Sequence, residues 1–416
     1  MKKRKLIFYY IWLITFFSFF VISGFFLQPP GELATGLYAI IRDSSVLLTD
    51  YLAIGGIGAS FVNAGLLGLV CVAILLLLDM KPNGSIILSL FLVFGFGFFG
   101  KNLLNVWPVI GGVYLYSRKK KHPFRNYIII AFMSTSLAPA VNQIFLLVTD
   151  AVLMSFLLST LGGILLGFLM PSLVSHCLKM HEGFMLANAG FASGFIAISF
   201  VALFKSFGFD MTTKNVWSSE YTVQLAVILF IVFGAMVFTG AILNKEPIST
   251  LGELMQESGR IVTDFFILYG NFIPLINMGL VGIFYTILTL LLTGQINGPF
   301  VAGIFTVVGF AGFGLNLRNV IPVTVGSYLA AKLNIISYDV NNLMLIILFG
   351  TSLAPFSGYF GIIWGIIAGF VHLCLTLNVG VINAGINLYN NGFVAGLVVI
   401  LLLPIASSLR EESDGN

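Results

Sequence analysis

The chain has 416 residues, of which 58% are apolar and only 9% charged, with a formal net charge of +4 and a mean hydropathy of +1.04. A soluble domain of this length needs far more polar surface, so a water-soluble globular fold is excluded. Strand-like alternation is absent, which favours a helical bundle over a barrel.

In chain order, Lys2-Lys3-Arg4-Lys5 precedes an apolar run from Leu6 to Phe26. The run is longer than a signal core and ends in Leu27-Gln28-Pro29-Pro30 without a small-x-small cleavage pattern. It predicts an uncleaved first span with a cytoplasmic N-terminus. Residues 31–50 carry Glu32, Arg42, Asp43 and Asp50 and are too polar to cross, so they belong at the interface. A span over 53–79 follows. Residues 84–117 are apolar but interrupted by Gly95, Gly97, Gly100 and an Asn/Pro motif, and both flanks carry cytoplasmic signals. They read as a hairpin, either two short spans or a re-entrant pair. Spans near 126–148, 150–175, 183–205 and 221–244 complete the first part.

The sequence then repeats. Asn63-Ala64-Gly65-Leu66-Leu67-Gly68 returns as Asn277-Met278-Gly279-Leu280-Val281-Gly282, and Thr49-Asp50 as Thr263-Asp264. Gly100-Lys101-Asn102-Leu103-Leu104-Asn105-Val106-Trp107-Pro108-Val109 returns as Gly314-Leu315-Asn316-Leu317-Arg318-Asn319-Val320-Ile321-Pro322-Val323. These pairs share one ungapped offset of 214 residues. After small length changes Thr135-Ser136-Leu137-Ala138-Pro139 matches Thr351-Ser352-Leu353-Ala354-Pro355, and Gly31-Glu32-Leu33 aligns with Gly252-Glu253-Leu254. The organisation read from this is an N-terminal helix (1–30), repeat 1 (31–205), a connector with one span and a cytoplasmic loop (206–251), repeat 2 (252–408) and a cytoplasmic tail (409–416).

Orientation follows from the cations. Arg118 to Arg125 contains five Lys and Arg residues, whereas the equivalent loop Ala330-Ala331-Lys332-Leu333-Asn334 contains one. Short loops rich in Lys and Arg stay in the cytoplasm, so the two halves are expected in opposite orientations. The fold expected is an all-α polytopic membrane protein with an inverted internal repeat, broken or re-entrant hairpins and about 10–14 membrane segments. Its setting is a bacterial cytoplasmic membrane, multi-pass, with both termini cytoplasmic.

Inverted repeats commonly enclose a site near the bilayer midplane, built where helices break and free backbone groups. The motif residues Asn102, Asn105, Asn316 and Asn319 have amides that either satisfy those groups or coordinate a polar solute. Lys101 and Arg318 lie within the same motif and no acid is near them in sequence. They would attract an anionic or dipolar solute, or else snorkel to the interface. Thr135, Ser136, Thr351 and Ser352 precede prolines and either line a polar path or bond back to their own helix. Thr49-Asp50 and Thr263-Asp264 have the form of N-caps, with ion coupling as the alternative. Asn63, Asn277, Asn188 and Asn390 precede small-residue patterns that suit close helix packing. Cys71, Cys177 and Cys374 lack metal spacing. His176, His181 and Glu182 read as an interfacial loop.

The duplicated Gly-x-Asn-Leu-x-Asn-Val-x-Pro-Val and Thr-Ser-Leu-Ala-Pro motifs resemble a bacterial membrane-protein family of unknown function whose domain occurs twice per chain. More weakly, the Asn-x-Gly-Leu-x-Gly and Asn-x-Gly-Phe-x-x-Gly segments are similar to those of urea transporters, which are inverted repeats with re-entrant segments around a pore. Lys101 and Arg318 depart from the uncharged pore of that family, so its substrate does not carry over.

The function expected is a transporter or channel for a small polar solute, with the two cations favouring an anion, and without a cofactor or metal. The lipid bilayer and a small solute are the expected partners, with homo-oligomerisation left open. No phosphate-binding loop of Walker type is present. An intramembrane enzyme acting on a lipid would need a convergent acid/base or metal set that the sequence lacks, and a scaffold or sensor is the other alternative class.

Overall fold

A computed structural model describes residues 2–147, 151–209, 214–261, 263–333 and 339–414. Asn334 of the loop used for orientation, and residues 148 and 150 at the facing ends of the spans expected at 126–148 and 150–175, fall outside these residues.

The first half runs through α1 (Lys2–Leu27), α2 (Pro30–Arg42), α3 (Tyr51–Leu77), α4 (Gly84–Gly95), α5 (Val106–Lys119), α6 (Ile128–Ser134), α7 (Ala138–Leu147), α8 (Val152–His181) and α9 (Asn188–Ser206). The second half comprises α10 (Thr222–Leu243), α11 (Ser249–Gln256), α12 (Phe265–Leu268), α13 (Phe272–Thr293), α14 (Gly298–Ala311), α15 (Leu317–Leu333), α16 (Val340–Gly350), α17 (Ala354–Phe360), α18 (Ile362–Val379) and α19 (Asn390–Asp414). Among the described residues ten helical stretches are long and apolar enough to cross a membrane, and two shorter ones, 84–98 and 298–311, lie at the centre.

The halves are built alike in detail. Asp50 caps α3 by accepting from Leu52 N, and Asp264 caps α12 by accepting from Phe266 N and Ile267 N. Asn83 and Asn297 cap α4 and α14 through Ile86 N and Phe300 N, each at 2.9 Å. Gly56 and Gly270 take positive φ values of 83° and 72° at equivalent places. A residue with a Cβ is strained there, so glycine sets the bend in α3 and the break between α12 and α13. Gly65 and Gly68 pack against Val21 and Phe17 of α1 as Gly279 and Gly282 pack against Val237 and Phe233 of α10. The connector span α10 is therefore the counterpart of α1. Asn102 Nδ2 reaches the Ile40 carbonyl and Asn316 Nδ2 the Leu254 carbonyl. This places Leu254 opposite Ile40, whereas the Gly-Glu-Leu match had aligned it with Leu33.

Direction is read from contacts. Gly84 at the start of α4 lies against Gly312 beyond α14, and Gly298 at the start of α14 lies against Phe98 beyond α4. The two central helices are equivalent yet antiparallel, as inversion requires. Asn277 holds the carbonyls of Ala311 and Leu315 at the end of α14. Further along the same helix the Tyr285 hydroxyl meets the Thr324 hydroxyl at 2.7 Å. Helix α15 thus runs back beside α13, and α14 with α15 forms a hairpin. Helix α5 packs on α8 as α15 packs on α18: Gly112 faces the Ile164 carbonyl and Gly326 that of Ile366, while Gly167 and Gly369 face those of Val109 and Val323.

Candidate functional site

At each hairpin turn the helix stops because glycine and asparagine replace its ladder. Lys101 N bonds Phe96 O, and Leu315 N bonds Phe310 O, both at 3.0 Å. Asn105 Oδ1 accepts from Asn102 N while Asn102 Oδ1 accepts from Asn105 N, each at 2.9 Å. Asn316 and Asn319 repeat the exchange at 2.9 and 3.0 Å. The remaining amide groups donate to Gly100 O and Gly314 O at 3.0 Å. Asn63 Nδ2 holds Gly97 O and Lys101 O, as Asn277 holds its pair. All six asparagines are buried. Their amides satisfy the carbonyls the turn releases, which is the structural one of the two roles the motif offers.

The two charged motif residues separate. Lys101 is fully buried, and the equivalent position holds buried Leu315. Its Nζ lies 2.6 Å from the Tyr389 hydroxyl and 3.5 Å from Leu92 O, and over the rings of Phe96 and Tyr389 at 5.2 and 4.8 Å. No carboxylate pairs with it among the described residues. Arg318 instead is exposed on a peripheral cleft. The structure does not bring Lys101 and Arg318 into one site: the turn directs the Lys101 position inward and the position three residues later outward, where repeat 1 places exposed Leu104 and repeat 2 Arg318.

Beside Lys101, where the halves meet, lies an apolar cavity of about 30 Å³. Equivalent residues face it from both sides: Leu92 with Thr306, Phe96 with Phe310, Met133 with Phe349 and Gly190 with Gly392. Leu92, Phe96 and Tyr389, the residues that Lys101 Nζ touches, are part of its wall. The first turns of α9 and α19 also reach it, that of α9 without a side-chain cap.

The halves are threaded through each other here. Helices α6 and α7, and α16 and α17, are joined by 3-10 turns at Thr135–Leu137 and Thr351–Leu353. Thr135 Oγ1 bonds Phe132 O, and Thr351 Oγ1 bonds Leu348 O. The carbonyl of Ser136 accepts from Leu388 N at 3.0 Å and that of Ser352 from Leu186 N at 2.9 Å. Each loop entering α9 or α19 is therefore held by the broken span of the other half. The Ser136 and Ser352 hydroxyls are buried without a hydrogen-bond partner among the described residues. Neither the threading nor the role of these loops has a sequence signal beyond the Thr-Ser-Leu-Ala-Pro repeat.

Asp50 and Asp264 cross in the same way. Asp50 accepts from Leu52 N and Ser218 N at 2.9 Å and from Gly298 N at 3.2 Å. Asp264 accepts from Gly84 N at 3.0 Å and Ser85 N at 3.4 Å besides its own helix. Each carboxylate caps a central helix of the opposite half, which occupies it with backbone donors.

Fold and site define a duplicated, all-α polytopic membrane protein with inverted halves. The family described as "Protein of unknown function (DUF1576)" matches residues 30–206 and again residues 243–408. The chain belongs to that family. No curated protein and no solved structure matches it.

Proposed function

We propose that the protein is a transporter or channel for a small anionic solute in a bacterial cytoplasmic membrane, with both termini cytoplasmic. On this reading the α4–α5 hairpin is re-entrant from the cytoplasmic side and α14–α15 from the outside. The observation that carries the reading is Lys101, a lysine amine buried with no carboxylate beside it among the described residues, next to the cavity where inverted halves meet. Placing a lysine at membrane depth costs on the order of 3 kcal/mol, which a purely structural role does not return. The apolar cavity fits a closed state, because an apolar constriction of this size excludes hydrated ions.

The test is flux in liposomes with chloride, nitrate and acetate, and urea as the neutral comparison. Wild type is expected to move anions faster than urea, and Lys101→Met to lower anion flux by about tenfold or more, equivalent to about 1.4 kcal/mol. The fold should survive this change. Methionine removes the buried amine and leaves the Tyr389 hydroxyl short of a hydrogen bond worth about 1 kcal/mol. Equal anion flux in Lys101→Met and wild type, at equal melting temperature, would overturn the reading.

A further inference from the structure

Two clefts away from the centre correspond to each other residue by residue. The larger, about 580 Å³, is lined by Arg42, Asp43, Asn105 and Asn142 among others. The smaller, about 110 Å³, is lined by the equivalents Gln256, Glu257, Asn319 and Gly358, together with Arg318. Each cleft adjoins a hairpin turn and the first residues of α5 or α15.

The arginines are not equivalent in sequence. The partner of Arg42 is Gln256, and that of Arg318 is Leu104. Each cleft nevertheless has one guanidinium, supplied from the end of α2 in one and from the hairpin in the other. The carboxylates do occupy equivalent positions and are engaged: Asp43 takes Lys214 Nζ at 2.6 Å and Ser45 N at 2.8 Å, and Glu257 takes the Tyr269 hydroxyl at 2.7 Å. The guanidiniums are not paired with acids among the described residues. Arg42 stacks over the Tyr38 ring at 4.9 Å, which fixes it while leaving its donors open.

A guanidinium offers a planar fork of donors that matches a carboxylate or phosphate. We propose that the two clefts are recruitment sites for a small oxyanion, Arg42 serving one face of the protein and Arg318 the other. The inference deepens the anion-transport reading and rests on it. Lys214 makes the first cleft net positive, whereas Glu257 balances Arg318 in the second, so the Arg42 site binds more tightly.

The experiment follows the 19F line width of trifluoroacetate added to purified full-length protein in detergent at low salt. Wild type should broaden the line in two phases. Arg42→Ala should remove the tighter phase, Arg318→Ala the weaker, and the double variant both. Arg42→Lys should weaken the tighter phase, because it keeps the charge and loses the fork. Both side chains are exposed, so melting temperatures should stay at the wild-type value. Wild-type broadening in the double variant overturns the proposal and leaves the Lys101 flux result standing. Arginine-dependent broadening without anion flux in liposomes overturns the transport reading and supports the clefts as binding sites. Nanodiscs separate two sources of the oxyanion. Broadening suppressed in phosphatidylglycerol but retained in phosphatidylcholine supports an oxyanion site filled by a lipid headgroup, and equal broadening in both supports a site for a soluble solute.

Discussion

Asp50→Ala is expected to unfold the protein more readily than any surface change, with a loss on the order of 4 kcal/mol. The carboxylate accepts three backbone N–H groups in a buried setting, and a hydrogen bond to a charged group contributes about 1.5–3 kcal/mol. The three do not add fully, because they share one acceptor group. Alanine would leave donors from three segments unsatisfied: Leu52 in its own helix, Ser218 in the connector and Gly298 in the other half. Asp264→Ala should cost a similar amount, since four backbone donors converge on it. Asparagine keeps one acceptor oxygen, so Asp50→Asn and Asp264→Asn should fall between alanine and wild type. Melting curves in detergent measure the order. Hydrogen exchange adds a sharper reading, because Asp50→Ala should deprotect Gly298 in the opposite half. A melting temperature for Asp50→Ala within a degree or two of wild type would show that these bonds contribute little.

Gly112→Ala should cost about 2–3 kcal/mol, while its neighbour Gly111→Ala should be neutral or stabilising. A Cβ on Gly112 would penetrate the Ile164 carbonyl oxygen and the backbone of Gly167, whereas one on Gly111 meets only Ile164 Cγ1 at 4.0 Å. Forcing a methyl group between packed backbones costs about 1–3 kcal/mol, occasionally more. Alanine in an open helical position gains about 1 kcal/mol over glycine. Close backbone approach is how membrane helices associate when both sides are equally apolar. Gly326→Ala should match Gly112→Ala, because Gly326 meets the Ile366 carbonyl in the same way. Melting the three variants side by side decides the matter. Equal behaviour of Gly111→Ala and Gly112→Ala would contradict the packing described.

Much of the architecture could be read from residues because the repeat is long and its stretch from Thr49 to Val109 is ungapped. The Asn/Pro motif located both hairpins, and Thr-Asp marked two helix starts that the structure caps as expected. Inversion came from cations in two loops, and the antiparallel central helices α4 and α14 agree with it. The equivalence of α1 and α10 was harder to see. It rests on Phe17, Val21 and Gly24 against Phe233, Val237 and Gly240, too few identities to stand out in apolar runs. The site was less legible. A turn alters direction within a few residues, so Lys101 and Arg318 appear as neighbours in the motif and part in space. The Arg42 cleft joins segments distant in sequence, and its resemblance to the Arg318 cleft is one of composition, with the charge moved across.

The exchange of caps and loops between halves bears on how the chain is made. Asp50 waits for Gly298, 248 residues later in synthesis, and the Ser136 carbonyl waits for Leu388. The first half therefore enters the bilayer before the groups that complete it exist, and it must persist there as an open intermediate. A gene divided in the loop between Leu243 and Ser249 should give two fragments that accumulate when produced together. Either fragment produced alone should be degraded.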